Sequence, residues 1–142
     1  MSRPWSDRPY SGAMAEINVL GGALEQCSAD PMTGWFRDGD CRSDHGDPGS
    51  HTVCAVMTAE FLSHQARIGN DLSTPMPMYH FPGLSPGDRW CVTARNWLVA
   101  YQDGVPAPVV LASTHERALE IVPLDALREN AVDVPNDPGE LS

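Results

Sequence analysis

The sequence predicts a mixed α+β domain, a two-layer α/β sandwich in which short strands alternate with helices and two long Pro/Gly-rich loops intervene. Three observations predict it. Short runs rich in β-branched or aromatic residues recur at Thr52 to Met57, Trp90 to Ala94 and Val109 to Ala112. Each is followed by helix-start signals. Segments 28–50 and 69–88 are dense in Pro, Gly, Asp, Ser and Thr, and ordered loops of about 20 residues usually carry function.

The elements follow in order. Residues 1–15 are polar, carry Pro4 and Pro9, and read as a flexible N-terminal tail. Residues 16–130 form the single globular domain, in which Ile17 to Leu20 is a further strand candidate. Thr58 is placed to cap a helix holding Phe61, Leu62 and Ala66, with Gly69 at its end. Ala94, Trp97, Leu98 and Tyr101 are spaced i, i+3, i+4, i+7, the pattern of an amphipathic helix, and Gly104 suits a left-handed cap beyond it. Ser113-Thr-His-Glu116 spells a capping box that opens a third helix. A fourth, short helix follows Pro123, from Leu124 to Glu129. Residues 131–142 read as a flexible C-terminal tail.

A chain of 142 residues buries about two-thirds of its unfolded surface and needs no disulfide staple. It has no signal-peptide core and no run approaching about 18 apolar residues, which predicts a soluble, cytoplasmic protein with no membrane partner. All nine basic residues are arginine, and twelve aspartates and seven glutamates bring the net charge to −10. Such a balance repels nucleic acid and anionic lipid. A lysine-free, aspartate-rich chain also fits halophilic adaptation, because at molar salt the screening length falls to about 3 Å. The plainer alternative is an acidic protein from an arginine-rich genome.

Cys27, Cys41, Cys54 and Cys91 carry the most distinctive chemistry. Without a secretory leader, thiols are expected to bind metal, to react or to sit buried rather than to bridge. His51 and Cys54 form an H-x-x-C spacing, Cys91 lies on a second strand, and Cys27 or Cys41 supplies a fourth soft donor, enough for zinc. No C-x-x-C pair strengthens that set, and the leading expectation is four small buried apolar residues. In a nucleophilic scheme Cys54 or Cys91 supplies a thiolate, with His51, His115 or Arg89 lowering its pKa.

The run Asp38 to Asp47 reads as a solvated acidic loop, since its glycine and acidic positions do not match a calcium loop. Asp71, Ser73, Thr74 and Arg89 read as a polar wall for a small anionic ligand. The bland alternative is that the first three satisfy local backbone donors. His115 falls in the first turn of the third helix, a position for a neutral ring that serves as base or ligand. No phosphate loop, dinucleotide fingerprint or serine elbow occurs. Whether the chain is an enzyme stays open at this point. The competing reading is a non-catalytic interaction module anchored by Trp35 and Phe36.

Taken together, Asn18-Val-Leu-Gly, Asp30-Pro, Arg37-Asp-Gly39, His51-Thr-Val-Cys-Ala-Val-Met-Thr58, Gly69-Asn-Asp-Leu-Ser-Thr-Pro75, Phe81-Pro-Gly-Leu84, Pro86-Gly-Asp-Arg-Trp-Cys91 and Thr114-His-Glu116 resemble a family of small bacterial proteins, domain of unknown function number 2237. The resemblance runs from about Asn18 to Leu127. It implies a two-layer α/β sandwich and brings no activity, cofactor or catalytic residue with it. The family pattern includes further cysteines where this chain has Ser28 and Thr93, which implies a buried or structural role for the four that remain.

Overall fold

The structure, a computed structural model, describes residues 16–133. Strand β1 (Val53–Val56) pairs antiparallel with β2 (Arg89–Val92), in a register that sets Val53 against Val92, Cys54 against Cys91 and Ala55 against Trp90. Side chains alternate along a strand. Val53, Ala55, Trp90 and Val92 therefore join the main core with Phe61, Trp97, Leu111 and Leu127, whereas Cys54 and Cys91 enter a second, smaller cluster. Burial on both faces is why β1 reads as a continuous apolar run.

The amide of Cys54 donates to Thr114 Oγ1 at 3.1 Å, and that of Cys91 to Thr33 Oγ1 at 2.8 Å. Their N–H groups point away from one another, so the two cysteines are a non-hydrogen-bonded pair, the kind whose side chains stand closest.

Helix α1 (Ala59–Arg67) starts at Thr58, whose Oγ1 accepts from the Phe61 amide at 3.0 Å. Helix α2 (Ala94–Gln102) is capped in the same way by Thr93, with Asn96 as donor at 3.1 Å. Ala94, Trp97 and Ala100 are buried, and the Trp97 indole donates to the Ala107 carbonyl at 2.9 Å. His64 joins the two helices: Nε2 meets Asp103 Oδ2 at 2.8 Å, and Nδ1 meets the Gln65 amide at 3.1 Å. Gly69 and Gly104 follow their helices at φ +91° and +83°, the left-handed geometry glycine enters without strain. Helix α3 (Leu124–Glu129) follows Pro123.

The architecture is thus mixed α+β, with three α-helices and a two-stranded antiparallel sheet among the described residues. Three sequence-based elements take other forms. Of Val109 to Ala112 only Val109 makes bridges, to Ala55 and Ala131, before Leu111–Ser113 turns into a 3₁₀ helix. The Asp133 carboxylate accepts the amides of Leu111 and Ala112, both at 2.9 Å, and so withdraws donors a longer ladder would need. At Ile17 to Leu20 the Asn18 side chain accepts from Leu20 and Gly22 and donates to Ala23 and Ala112, folding the expected strand into a turn. The third helix is a 3₁₀ turn, Glu116–Glu120, capped by His115 rather than Ser113. The Ser113 hydroxyl donates instead to the Gln26 carbonyl at 3.0 Å.

Residues 131–133 lie against Val109 to Ala112, with the Val132 amide donating to the Val109 carbonyl at 2.9 Å. The rest of the expected C-terminal tail, and residues 1–15, lie outside the described residues. No helix among the described residues is long and apolar enough to cross a membrane.

Candidate functional site

The four cysteines converge, but as bridges. Cys27 bonds to Cys54 and Cys41 to Cys91, with Cα separations of 5.7 and 5.3 Å, and no free cysteine remains. This corrects the expectation of unbridged thiols. As written, neither Cys54 nor Cys91 carries a thiolate. The Sγ atoms of Cys27, Cys41 and Cys54 all lie within 4.8 Å of one another, so the two bridges form one buried sulfur cluster, capped by Val110 and flanked by Val56. The expected burial of the cysteines is met.

Above this cluster stands a groove built by the two long loops. Its first hollow, about 210 Å³, is lined by Trp35, Arg37, His51, Trp90 and Cys91. A second, about 250 Å³, shares Arg37, His51 and Trp90 and extends past Leu72, Tyr79 and Phe81. Asp47 is the anchor of this arrangement. Its side chain is 0% exposed, which a carboxylate tolerates only when its lone pairs are used. They are: Oδ2 accepts from the Ser43 hydroxyl and the His51 amide, each at 2.7 Å, and Oδ1 meets His51 Nδ1 at 2.5 Å. A carboxylate can only accept, so Nδ1 donates, and Nε2 makes no hydrogen bond among the described residues.

Trp35 stacks on the His51 ring, 5.7 Å between centroids and 22° between planes. The Arg37 guanidinium lies 5.1 Å from the Trp90 ring centre, and Phe81 meets Trp90 edge-on at 5.2 Å. Arg37 makes no ion pair among the described residues, whereas Arg42 is paired with Asp38 at 2.7 Å. Burial is the largest single influence on Asp38 and pushes it upward, yet the Arg42 hydrogen bond, the backbone amides and the Arg42 charge together outweigh it and hold the carboxyl below its usual value. Among the described residues, Arg37, Ser50 and His80, at φ +56°, +67° and +56°, are the non-glycine residues in the left-handed region. Arg37 lines the groove, and the others adjoin His51 and Phe81, which also line it. Strained backbone collects where a side chain must be aimed.

The remaining sequence-based candidates go elsewhere. Arg89, opposite Val56, is exposed and lines neither hollow. Asp71 accepts from the amides of Ser73 and Thr74 and from the Thr74 hydroxyl, at 2.9, 3.2 and 2.6 Å. Those oxygens are engaged locally, as turn residues often are. His115 lines a separate open hollow with Glu16 and Arg117. Its Nδ1 accepts from the Arg117 amide and its Nε2 meets Glu16 Oε1, both at 2.9 Å, so both ring nitrogens are engaged.

Sequence reasoning missed Asp47, Arg37 and Trp90. Only the i, i+4 spacing of Asp47 and His51 offered a signal, because the rest of the groove is assembled from segments 34–51, 72–81 and 90–91. The structure also removes Asp47 from the acidic loop expected to be solvated.

One family model, described as an uncharacterised protein conserved in bacteria, domain of unknown function 2237, matches residues 17–131. No curated protein matches the chain.

Proposed function

From the premise that the chain belongs to this bacterial family, we propose that the groove at His51 binds a small anionic ligand with a planar apolar part. The observation that carries the reading is His51 itself, fixed by a buried carboxylate through Nδ1 and lining an aromatic hollow, with Nε2 unbonded among the described residues. Trp35, Trp90 and Phe81 suit a flat apolar body. Arg37, which makes no ion pair among the described residues, suits its carboxylate or phosphate, which a guanidinium grips by two parallel hydrogen bonds. His51 Nε2 then accepts a proton or hydrogen bond from the ligand.

Calorimetry with benzoate, indole-3-acetate and phenyl phosphate, against uncharged benzyl alcohol, tests this. The anions bind and the alcohol does not. Arg37→Asn, a residue that tolerates positive φ, weakens binding about tenfold or more, as expected for a lost charge-assisted contact, while Arg89→Gln leaves it unchanged. Equal affinity for the alcohol, or loss through Arg89 alone, sinks the reading.

A second reading, a non-catalytic protein-interaction module, is favoured by exposed apolar side chains, of which Tyr79 (63%) and Trp35 (39%) line the groove while Met78 (77%) and Phe36 (41%) are further candidates. We also infer a salt-rich cytoplasm as the protein's setting, supported by the lysine-free acidic composition. Two disulfides argue for an oxidising compartment, so the cytoplasmic setting requires that the sulfur cluster also have a stable reduced form.

A further inference from the structure

Two staples placed to restrain a chain would act best far apart, yet here the bridges touch. Three Sγ atoms lie within 4.8 Å of one another, and the fourth, that of Cys91, is bonded to Cys41. Each of the four residues is at most 4% exposed. Tetrahedral zinc with bonds of about 2.3 Å requires sulfurs roughly 3.8 Å apart; three of the atoms already lie within 4.8 Å of one another, and the Cys91 sulfur, held beside them by its bond to Cys41, has to turn toward them once the bridges open.

We propose that the reduced chain holds one zinc ion in a closed four-sulfur site made of Cys27, Cys41, Cys54 and Cys91. The two strand cysteines face one another across β1 and β2, which fixes half of the site on paired backbone. The loop cysteines keep their places by hydrogen bonds that do not involve sulfur: the Cys27 amide donates to the Gly39 carbonyl at 2.8 Å and the Gly39 amide to the Thr33 carbonyl at 2.9 Å. Thr33 is in turn joined to Cys91 at 2.8 Å. With all four positions filled by protein and each cysteine at most 4% exposed, the site is structural rather than catalytic.

The chemistry balances with a dithiol as reductant. Two dithiols each pass two electrons and two protons to one protein disulfide, both S–S bonds break, and four thiols form while each dithiol closes to its own disulfide. Zinc then binds four thiolates and displaces four protons. Oxidation reverses the sequence and expels the metal, so the cluster exchanges one cross-link for another. This inference is independent of the groove's ligand.

The full-length protein is reduced with a phosphine, desalted without oxygen and titrated with cobalt(II). One cobalt per chain is expected, with the strong visible bands of tetrahedral thiolate coordination, displaced by one zinc and released by hydrogen peroxide as both bridges re-form. The double variant Cys27→Ser/Cys54→Ser, which retains the Cys41–Cys91 pair, loses this uptake. The proposal is overturned if reduced protein stays folded by circular dichroism and takes up no cobalt. It is equally overturned if the reduced protein unfolds and metal does not restore it, or if the double variant binds cobalt with the same spectrum.

Discussion

Asp71 shows how a single carboxylate orders a stretch of loop. The Thr74 hydroxyl, then the Ser73 and Thr74 amides, hold its pKa below the ordinary value. A carboxylate depressed in the folded state adds stability above its unfolded pKa and loses it as pH falls through the folded value. Below about pH 4, then, the turn at residues 71–74 should loosen. Amide exchange at Ser73 and Thr74, corrected for intrinsic rates, is expected to quicken between pH 5 and pH 2, and Asp71→Asn to flatten that dependence. An unchanged profile in the variant refutes the assignment. At this scale the sequence was legible where a side chain serves its own neighbours: Thr58 as a helix cap follows from local chemistry, and the Asp71 turn matches the alternative reading of that residue rather than the ligand-binding one. Arg37 was illegible because its meaning depends on Trp90, which arrives from another strand.

Among elements, local signals located both long helices and both strands of the sheet, and failed where a remote partner intervened. Ser113 resembled a helix cap but is held by Gln26, and the strand expected at Val109 is cut short by Asp133. Cysteine pairing was equally hidden, since no spacing reveals that the register places Cys54 and Cys91 opposite one another. The bridges span 27 and 50 residues, and chain-entropy estimates for such loops are about 3.5 and about 4 kcal/mol. The loops overlap, so the two contributions do not simply add. Against a typical total of about 5–15 kcal/mol, reduction in the presence of a chelator should cost at least about 3 kcal/mol. Urea denaturation with and without phosphine measures it, and coincident curves would show that the bridges restrain nothing.

For the molecule as a whole, the net charge of −10 with no lysine sets the response to salt. Repulsion among exposed carboxylates is screened progressively as ionic strength rises. The melting temperature is expected to climb by several degrees between dilute buffer and about 2 M potassium chloride, a range in which the screening length drops to about 3 Å or less. A flat or falling curve identifies an ordinary acidic protein. Periodicity could foretell the mixed class of the fold, because it does not depend on which loop meets which strand.

The order of the cysteines along the chain adds a property of its own. Cys41 lies inside the span closed by Cys27 and Cys54, and its partner Cys91 lies outside it. The bridges interlock like two links of a chain. While both are intact, one peptide bond hydrolysed anywhere between Cys27 and Cys91 leaves the pieces covalently joined, so the protein survives a single proteolytic nick in either groove-forming loop as one molecule.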